Sequence, residues 1–103
     1  MTDRVVLRNS GGRFLDVTRL PDGSLRIHGH DIGGGAEIFG SDDYEWYKTI
    51  PVENIQHFRR VFAIPEGVDD IAFLEEHYAN DQGHSFETLV RENDVAEGFW
   101  SHP

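Results

Sequence analysis

The amino-acid sequence predicts a small α+β domain in which helices pack on one side of an antiparallel sheet. The first half of the chain consists of short β-branched or alternating runs separated by turn signals. The second half carries apolar residues at helical spacing. A length of 103 residues with 38% hydrophobic content suffices for one modest core, so we expect a single domain over 1–103.

The first three strands are predicted to form a meander. Val5 to Leu7 is a short β-branched run that ends at the turn residues 9–12, and an extended run follows over 14–18. Residues 20–23 read Leu-Pro-Asp-Gly and supply the next turn, because proline presets φ and glycine accepts a positive φ. Residues 24–28 alternate polar and apolar side chains, which is typical of a half-buried strand.

The sheet is predicted to contain four to five strands in all. A fourth strand is expected over 44–50, where aromatic and β-branched residues dominate. The stretch before it, 31–43, is rich in Gly, Ser and Asp and is predicted to be a surface loop. A last strand is expected over 95–100, which carries two large aromatic residues and no helical stripe.

Three helices are predicted after the fourth strand, over 51–63, 69–79 and 85–92. Apolar residues at three- and four-residue spacing give each helix one buried stripe. Pro51 can open the first helix, since the first turn has no use for the missing N–H. Asp69 and Asp70 favour the start of the second helix by facing its dipole, and Ser85 can cap the third.

The formal net charge of −10 is unevenly distributed. Residues 1–30 carry five arginines against three acids, whereas 31–54 carry six acids against Lys48 and 66–103 carry ten acids against Arg91. Such a surface repels phosphate backbones and anionic membranes, so we expect neither nucleic acid nor membrane as a partner. A basic protein would instead be attracted. The alternative is that the acidity serves solubility alone.

Several site chemistries are absent from the sequence. It contains no cysteine, which excludes disulfides, thiolate metal sites and a cysteine nucleophile. The glycine run 33–35 lacks the following Lys-Ser/Thr and the dinucleotide-binding spacing, and no Gly-x-Ser-x-Gly elbow occurs. Carboxylate pairs carry little information in so acidic a chain. We therefore expect a protein that is not an enzyme and takes no cofactor.

The N-terminal residues contain no apolar run of signal-peptide length. No stretch approaches the roughly 18 to 20 apolar residues of a membrane span. Together with the lack of cysteine, these features predict a cytoplasmic protein in a reducing compartment.

The segment 42–47 is the leading candidate for a partner-binding site, because it combines three acids with three aromatic residues. On a strand, Tyr44 and Trp46 share one face while Glu45 and Tyr47 share the other. The predicted partner-binding residues are Asp31, Glu37, Asp42, Asp43, Glu45 and Tyr47. The alternative is that Trp46 belongs to the core and the acids only solvate a turn.

Two further hypotheses stay open. The first is a small metal-binding protein or metal-dependent enzyme that uses His28, His30 and Asp31, because the two histidines point to the same face of a strand and Glu37 could approach as a third ligand. The aromatic residues of 44–47 and 99–100 could instead form a homodimer interface. The remaining histidines, His57, His77, His84 and His102, are expected to be solvated.

The order of four segments resembles a family of small, uncharacterised actinobacterial proteins. These segments are Gly29-x-Asp31 with the glycine loop, Tyr44-Glu45-Trp46, Ile50-Pro51-Val52-Glu53 and Gly98-Phe99-Trp100-Ser101. The resemblance spans nearly the whole chain, implies the same α+β layout and supplies no catalytic motif. In size, acidity and lack of catalytic motifs the chain is also similar to immunity proteins, which neutralise a toxin by covering its active site. The leading hypothesis is therefore an immunity protein or inhibitor for a basic partner.

Overall fold

The computed structural model describes residues 3–10, 12–31, 44–79 and 83–102, with only the backbone described at 31, 44 and 98–102. Five antiparallel strands form one sheet in chain order: β1 Arg4–Ser10, β2 Arg13–Arg19, β3 Leu25–Asp31, β4 Tyr44–Ile50 and β5 Glu97–His102. Between β4 and β5 the chain forms a 3₁₀ turn and three helices: Val52–Asn54, then α1 Ile55–Val61, α2 Asp70–Tyr78 and α3 His84–Asn93. The predicted α+β class is confirmed.

The helices cover one face of the sheet. The strand residues that lie in the hydrophobic core all point to this face: Val5, Leu7, Leu15, Val17, Leu25, Ile27 and Ile50. The helical part of the chain, 55–93, contributes the other side of the core, chiefly Phe58, Phe62, Ile71, Leu74, Phe86 and Val90. Alternation along each strand then sends the intervening side chains to the opposite face. The sheet is thus a single layer with one apolar side.

The predicted helix over 51–63 is divided into a 3₁₀ turn and the shorter α1. Pro51 precedes the turn in extended conformation. Helix α1 ends at Val61, and Ala63 has a φ of 55°, in the left-handed region where a right-handed helix cannot continue. The chain therefore leaves the helix two residues earlier than the apolar spacing indicated.

The starts of α2 and α3 are determined differently. Asp69 lies at the start of α2, as predicted, and its side chain caps the helix by accepting a hydrogen bond from the Ala72 N–H at 3.0 Å. Ser85 is not the cap of α3, and that prediction was wrong. The helix begins at His84 directly after Gly83, whose φ of 74° turns the chain into the helix before Ser85 is reached.

None of the helices in the described ranges has the length and apolar composition that a membrane crossing requires.

Candidate functional site

The face of the sheet opposite the helices carries a cluster of aromatic and titratable side chains. Strand register places Asp16, His28 and Tyr47 in one row across β2, β3 and β4, because directly paired residues share a face. The next row consists of Phe14, His30 and Glu45. We call these six residues the open face: Phe14, Asp16, His28, His30, Glu45 and Tyr47.

His28 lies at the centre of the open face and contacts two carboxylates. Its Nε2 lies 3.1 Å from Glu45 Oε2, and its Nδ1 lies 3.3 Å from Asp16 Oδ1. The Tyr47 ring stacks on the imidazole at a centroid distance of 4.7 Å and an interplanar angle of 14°. The imidazole therefore lies between two carboxylates and is hydrogen-bonded to Glu45.

Glu45 and Tyr47 are joined by a hydrogen bond. The Tyr47 hydroxyl donates to Glu45 Oε2 at 3.2 Å. The hydrogen bond with His28, followed by that from Tyr47, lowers the pKa of the Glu45 carboxyl. Burial, followed by the hydrogen bond to Glu45, raises the pKa of the Tyr47 phenol. At neutral pH the site therefore presents a charged carboxylate beside a neutral phenol.

Asp16 is the one buried carboxylate on this face among the described residues, with 6% of its side chain exposed. Arg4 Nε donates to its Oδ2 at 2.6 Å. Asp16 Oδ1 has no hydrogen bond of good geometry within the described part of the chain, although His28 Nδ1 is 3.3 Å away. The buried His30 Nε2 likewise has no described hydrogen-bond partner. Both atoms retain capacity for a further polar contact.

The two arginines that border this cluster lie against aromatic rings. The Arg4 guanidinium lies 5.7 Å from the centroid of Phe14, and the Arg26 guanidinium lies 5.5 Å from that of Tyr47. Arg4 is also neutralised by Asp16. The open face is therefore an aromatic platform whose described charges are of mixed sign.

Two of the six predicted partner-binding residues have described side chains, and they lie side by side. Glu45 and Tyr47 both belong to the open face, as the alternation of β4 predicted. The backbone of Asp31 pairs with that of Tyr44 at the end of β3, but its side chain lies outside the described structure. Glu37, Asp42 and Asp43 also lie outside the described residues.

Trp46 lies on the opposite face from Tyr47, which confirms the predicted division of faces in β4. It is half-buried and packs against the hydrophobic core. The residue paired with it in β3 is Gly29. The prediction that one set of β4 side chains contributes to the core while the other faces away from it therefore describes Trp46 and Tyr47 correctly.

The described residues contain no group of three or more His, Asp or Glu side chains that could hold a metal ion. His28 and His30 share a face, as predicted, with ring centroids 6.3 Å apart. Both nitrogens of His28 nevertheless face carboxylates of the protein itself. The other proposed ligands, Asp31 and Glu37, lie outside the described side chains, so the metal site stays a prediction.

Asp16 was not among the predicted site residues, and the environment of His57 was predicted incorrectly. Asp16 stands between the apolar residues Leu15 and Val17, and that alternation was the signal for a polar group on the other face. The prediction that His57 is simply solvated was wrong. Its Nε2 lies 2.8 Å from the carbonyl oxygen of Asn93, where α1 meets the end of α3.

No protein-family model, curated protein sequence or solved structure matches the chain. The resemblances to an actinobacterial family and to immunity proteins therefore stay predictions.

Proposed function

We propose that this protein is a small acidic, non-enzymatic binding protein. It acts as an immunity protein or inhibitor that neutralises a basic protein partner, such as a toxin, by occluding the partner's active surface. The observation that carries the proposal is the Tyr47–His28 stack with its hydrogen-bonded Glu45, which lies on the face of the sheet away from the helices.

Preorganisation of Tyr47 supports its role as the anchor of a docking surface. Immobilising a mobile side chain on binding costs about 0.5–1.5 kcal/mol. Tyr47 already has its ring stacked at 4.7 Å on His28 and its hydroxyl bonded at 3.2 Å to Glu45. Tyrosine is also one of the residue types that most often dominate interface energies. Less of the binding free energy is therefore lost in ordering this site.

Charge supports a basic partner. Glu45 is held in its charged form on the open face, and the chain as a whole has a net charge of −10. The acids Glu37, Asp42 and Asp43 belong to the segment that follows β3 and precedes β4 in the chain. A negative field of this kind steers a basic partner and raises its association rate.

The first experiment identifies the partner. The tagged protein is purified from its native cells at low ionic strength, and the bound proteins are identified by mass spectrometry. We expect a basic protein whose activity is silenced by the complex. A chain that elutes alone from native cells, or a bound protein that keeps its full activity, would contradict the proposal.

The second experiment locates the surface with that partner. Tyr47→Ala should raise the dissociation rate and reduce the binding free energy by about 2 kcal/mol or more, as truncation of an anchor residue does. Val68→Ala, an exposed apolar position between α1 and α2, is the matched control and should leave the rate unchanged. Equal dissociation rates for the two variants would move the interface away from the open face.

The third experiment separates local charge from net charge. Asp42→Lys with Asp43→Lys should slow association with the basic partner. The melting temperature should stay unchanged, because the sequence predicts a turn at these two acids and turn acids contribute little to stability. Glu75→Lys with Glu76→Lys on α2 changes the net charge equally on exposed positions of a helix. Equal slowing by both double variants would show that only net charge matters, and no slowing by the first would exclude the 42–43 acids from the interface.

A further inference from the structure

A separate pocket lies between the helix-covered face of the sheet and α3. Its volume is about 220 Å³. The buried side chains of Ile27, Phe86 and Val90 form its floor, and half-buried Trp46 forms a wall. Exposed Arg91 and half-buried Lys48 stand at the mouth. The described lining therefore combines buried apolar side chains with two cations, Lys48 and Arg91, and one acid, Glu87.

The Trp46 wall depends on the glycine beneath it. A Cβ atom at position 29 would lie 2.1 Å from Cε2 of the Trp46 indole, far inside van der Waals contact. Gly29 therefore allows the indole to lie directly on the backbone of β3. Because a larger residue would push the ring away, the shape of the pocket is built into the pairing of Gly29 with Trp46.

The two cations at the mouth are exceptional in this acidic chain. Lys48 is the only lysine or arginine among residues 31–54, and Arg91 is the only one among residues 66–103. They come from different elements, β4 and α3, yet both line the same pocket. Among the described lining residues there is one acid, Glu87, whose Oε2 lies 3.4 Å from Arg8 Nη2. Two cations against one acid in this part of the lining favour an anionic ligand.

We propose that this pocket binds a small amphipathic carboxylate, with its apolar body on Phe86 and Trp46 and its carboxylate at Lys48 and Arg91. Pockets for drug-sized ligands have volumes of about 300–1,000 Å³, so this smaller one suits a single ring or a short alkyl chain. Arginine and lysine both form charge-assisted hydrogen bonds with carboxylates. The pocket lies on the opposite side of the sheet from the open face, so this inference does not depend on the proposed partner.

Titration with 4-phenylbutyrate, 4-phenylbutanol and 4-phenylbutylamine tests the proposal on the intact chain. Calorimetry gives the affinities, and ¹H–¹⁵N and methyl NMR spectra locate the site through the Trp46 indole N–H and the Val90 methyl groups. We expect the acid to bind at least about tenfold more tightly than the alcohol, since a charge-assisted hydrogen bond is roughly twice as strong as a neutral one. The amine should bind more weakly than the alcohol.

Two variants distinguish the pocket from nonspecific binding. Lys48→Gln with Arg91→Gln should reduce the affinity for the acid to that for the alcohol, while Arg26→Gln with Arg60→Gln, which removes the same charge elsewhere, should not. Val90→Met fills the floor and should weaken acid and alcohol alike. Equal affinities for acid and alcohol, an unaffected Lys48/Arg91 variant, shifts confined to the open face, or no binding at millimolar ligand would each overturn the proposal.

Discussion

The side chains on the two faces of the sheet are stabilised in different ways. On the helix-covered face, side chains such as Leu15 and Ile27 are fully buried against the helices, and their free energy comes from removal of apolar surface from water. On the open face, His28, Glu45 and Tyr47 stay half-buried and bond to one another across neighbouring strands. The first face is covered by the helices, whereas the described contacts among His28, Glu45 and Tyr47 are made between strands of the sheet.

Stability should therefore depend mainly on the covered face, and recognition of a partner on the open face. A buried apolar side chain contributes about 1.5–3 kcal/mol relative to an exposed one, so changes on the covered face should decide whether the chain folds. Half-buried polar contacts contribute less because solvent screens them. Changes on the open face should therefore alter binding while largely preserving the fold.

The largest expected effect is that of Phe58→Ala on the covered side. Phe58 is 0% exposed and packs against Phe62 at a ring-centroid distance of 4.8 Å. Truncation of such a ring costs about 3–5 kcal/mol through lost burial and a residual cavity. Phe14→Ala on the open face is the matched control and should cost about 1 kcal/mol or less. Urea denaturation measures both, and equal costs would show that the open face is itself part of the core.

The next largest effect is expected at Gly29, where the Trp46 indole lies on the backbone of β3. Gly29→Ala should destabilise the protein by about 1–3 kcal/mol, because the added methyl group would overlap the Trp46 indole. In a Trp46→Ala background the cost should disappear, since the clash has been removed. Denaturation of the four proteins of this double-mutant cycle measures the coupling.

Gly67→Ala is the control for that cycle. Gly67 has a φ of 86° and nothing within 4 Å of an added Cβ, so its cost of about 1–2 kcal/mol would come from backbone conformation alone. That cost should be the same in the original chain and in the Trp46→Ala background. A Gly29→Ala cost that is also the same in both backgrounds would contradict the steric explanation.

The contribution of the open face to stability should depend on pH rather than on side-chain volume. The folded state lowers the pKa of Glu45 below its ordinary value of about 4.3, so its stabilisation is present above that pH and is lost as pH falls through the folded pKa. Tyr47 has a raised pKa, so its contribution is present below about pH 10 and is lost as pH rises through the folded pKa. NMR titration of the Glu45 carboxyl carbon measures the first of these.

Tyr47→Phe gives the decisive comparison for this titration. It removes one hydrogen bond from Glu45 and keeps the ring that stacks on His28. The pKa of Glu45 should therefore rise in the variant but stay below its ordinary value, because the contact with His28 remains. A Glu45 pKa that is ordinary in both proteins would mean that the hydrogen bonds are absent in solution.

The covered face was more predictable from the sequence than the open face. Period-two alternation identified the strands and placed Trp46 and Tyr47 on opposite sides, because apolar burial leaves a local pattern. The contact of Asp16 with His28 joins residues of two strands, and only their register brings these atoms within 3.3 Å. The start of α3 was also mispredicted. It depends on the left-handed φ of Gly83, whereas the sequence offered Ser85 as a typical capping residue.

Arg26→Ala is expected to have the smallest effect on stability. It should destabilise the fold slightly but raise the association rate with a basic partner. The exposed Arg26 guanidinium lies 5.5 Å from the centroid of the Tyr47 ring, a contact worth about 0.5–1 kcal/mol at an exposed site. Its removal also takes a positive charge away from the anchor of the proposed docking surface. A basic partner should then associate faster, although the protein itself is slightly less stable.

Arg60→Ala provides the control, because it removes the same charge from an exposed position on α1. Stopped-flow association at low salt should show a larger acceleration for Arg26→Ala than for Arg60→Ala. The difference should shrink as salt shortens the Debye length from about 10 Å at 0.1 M to about 3 Å at 1 M. Equal acceleration by the two variants would mean that the partner responds to net charge alone, and slower association for Arg26→Ala would make Arg26 part of the contact rather than a cation that repels the partner.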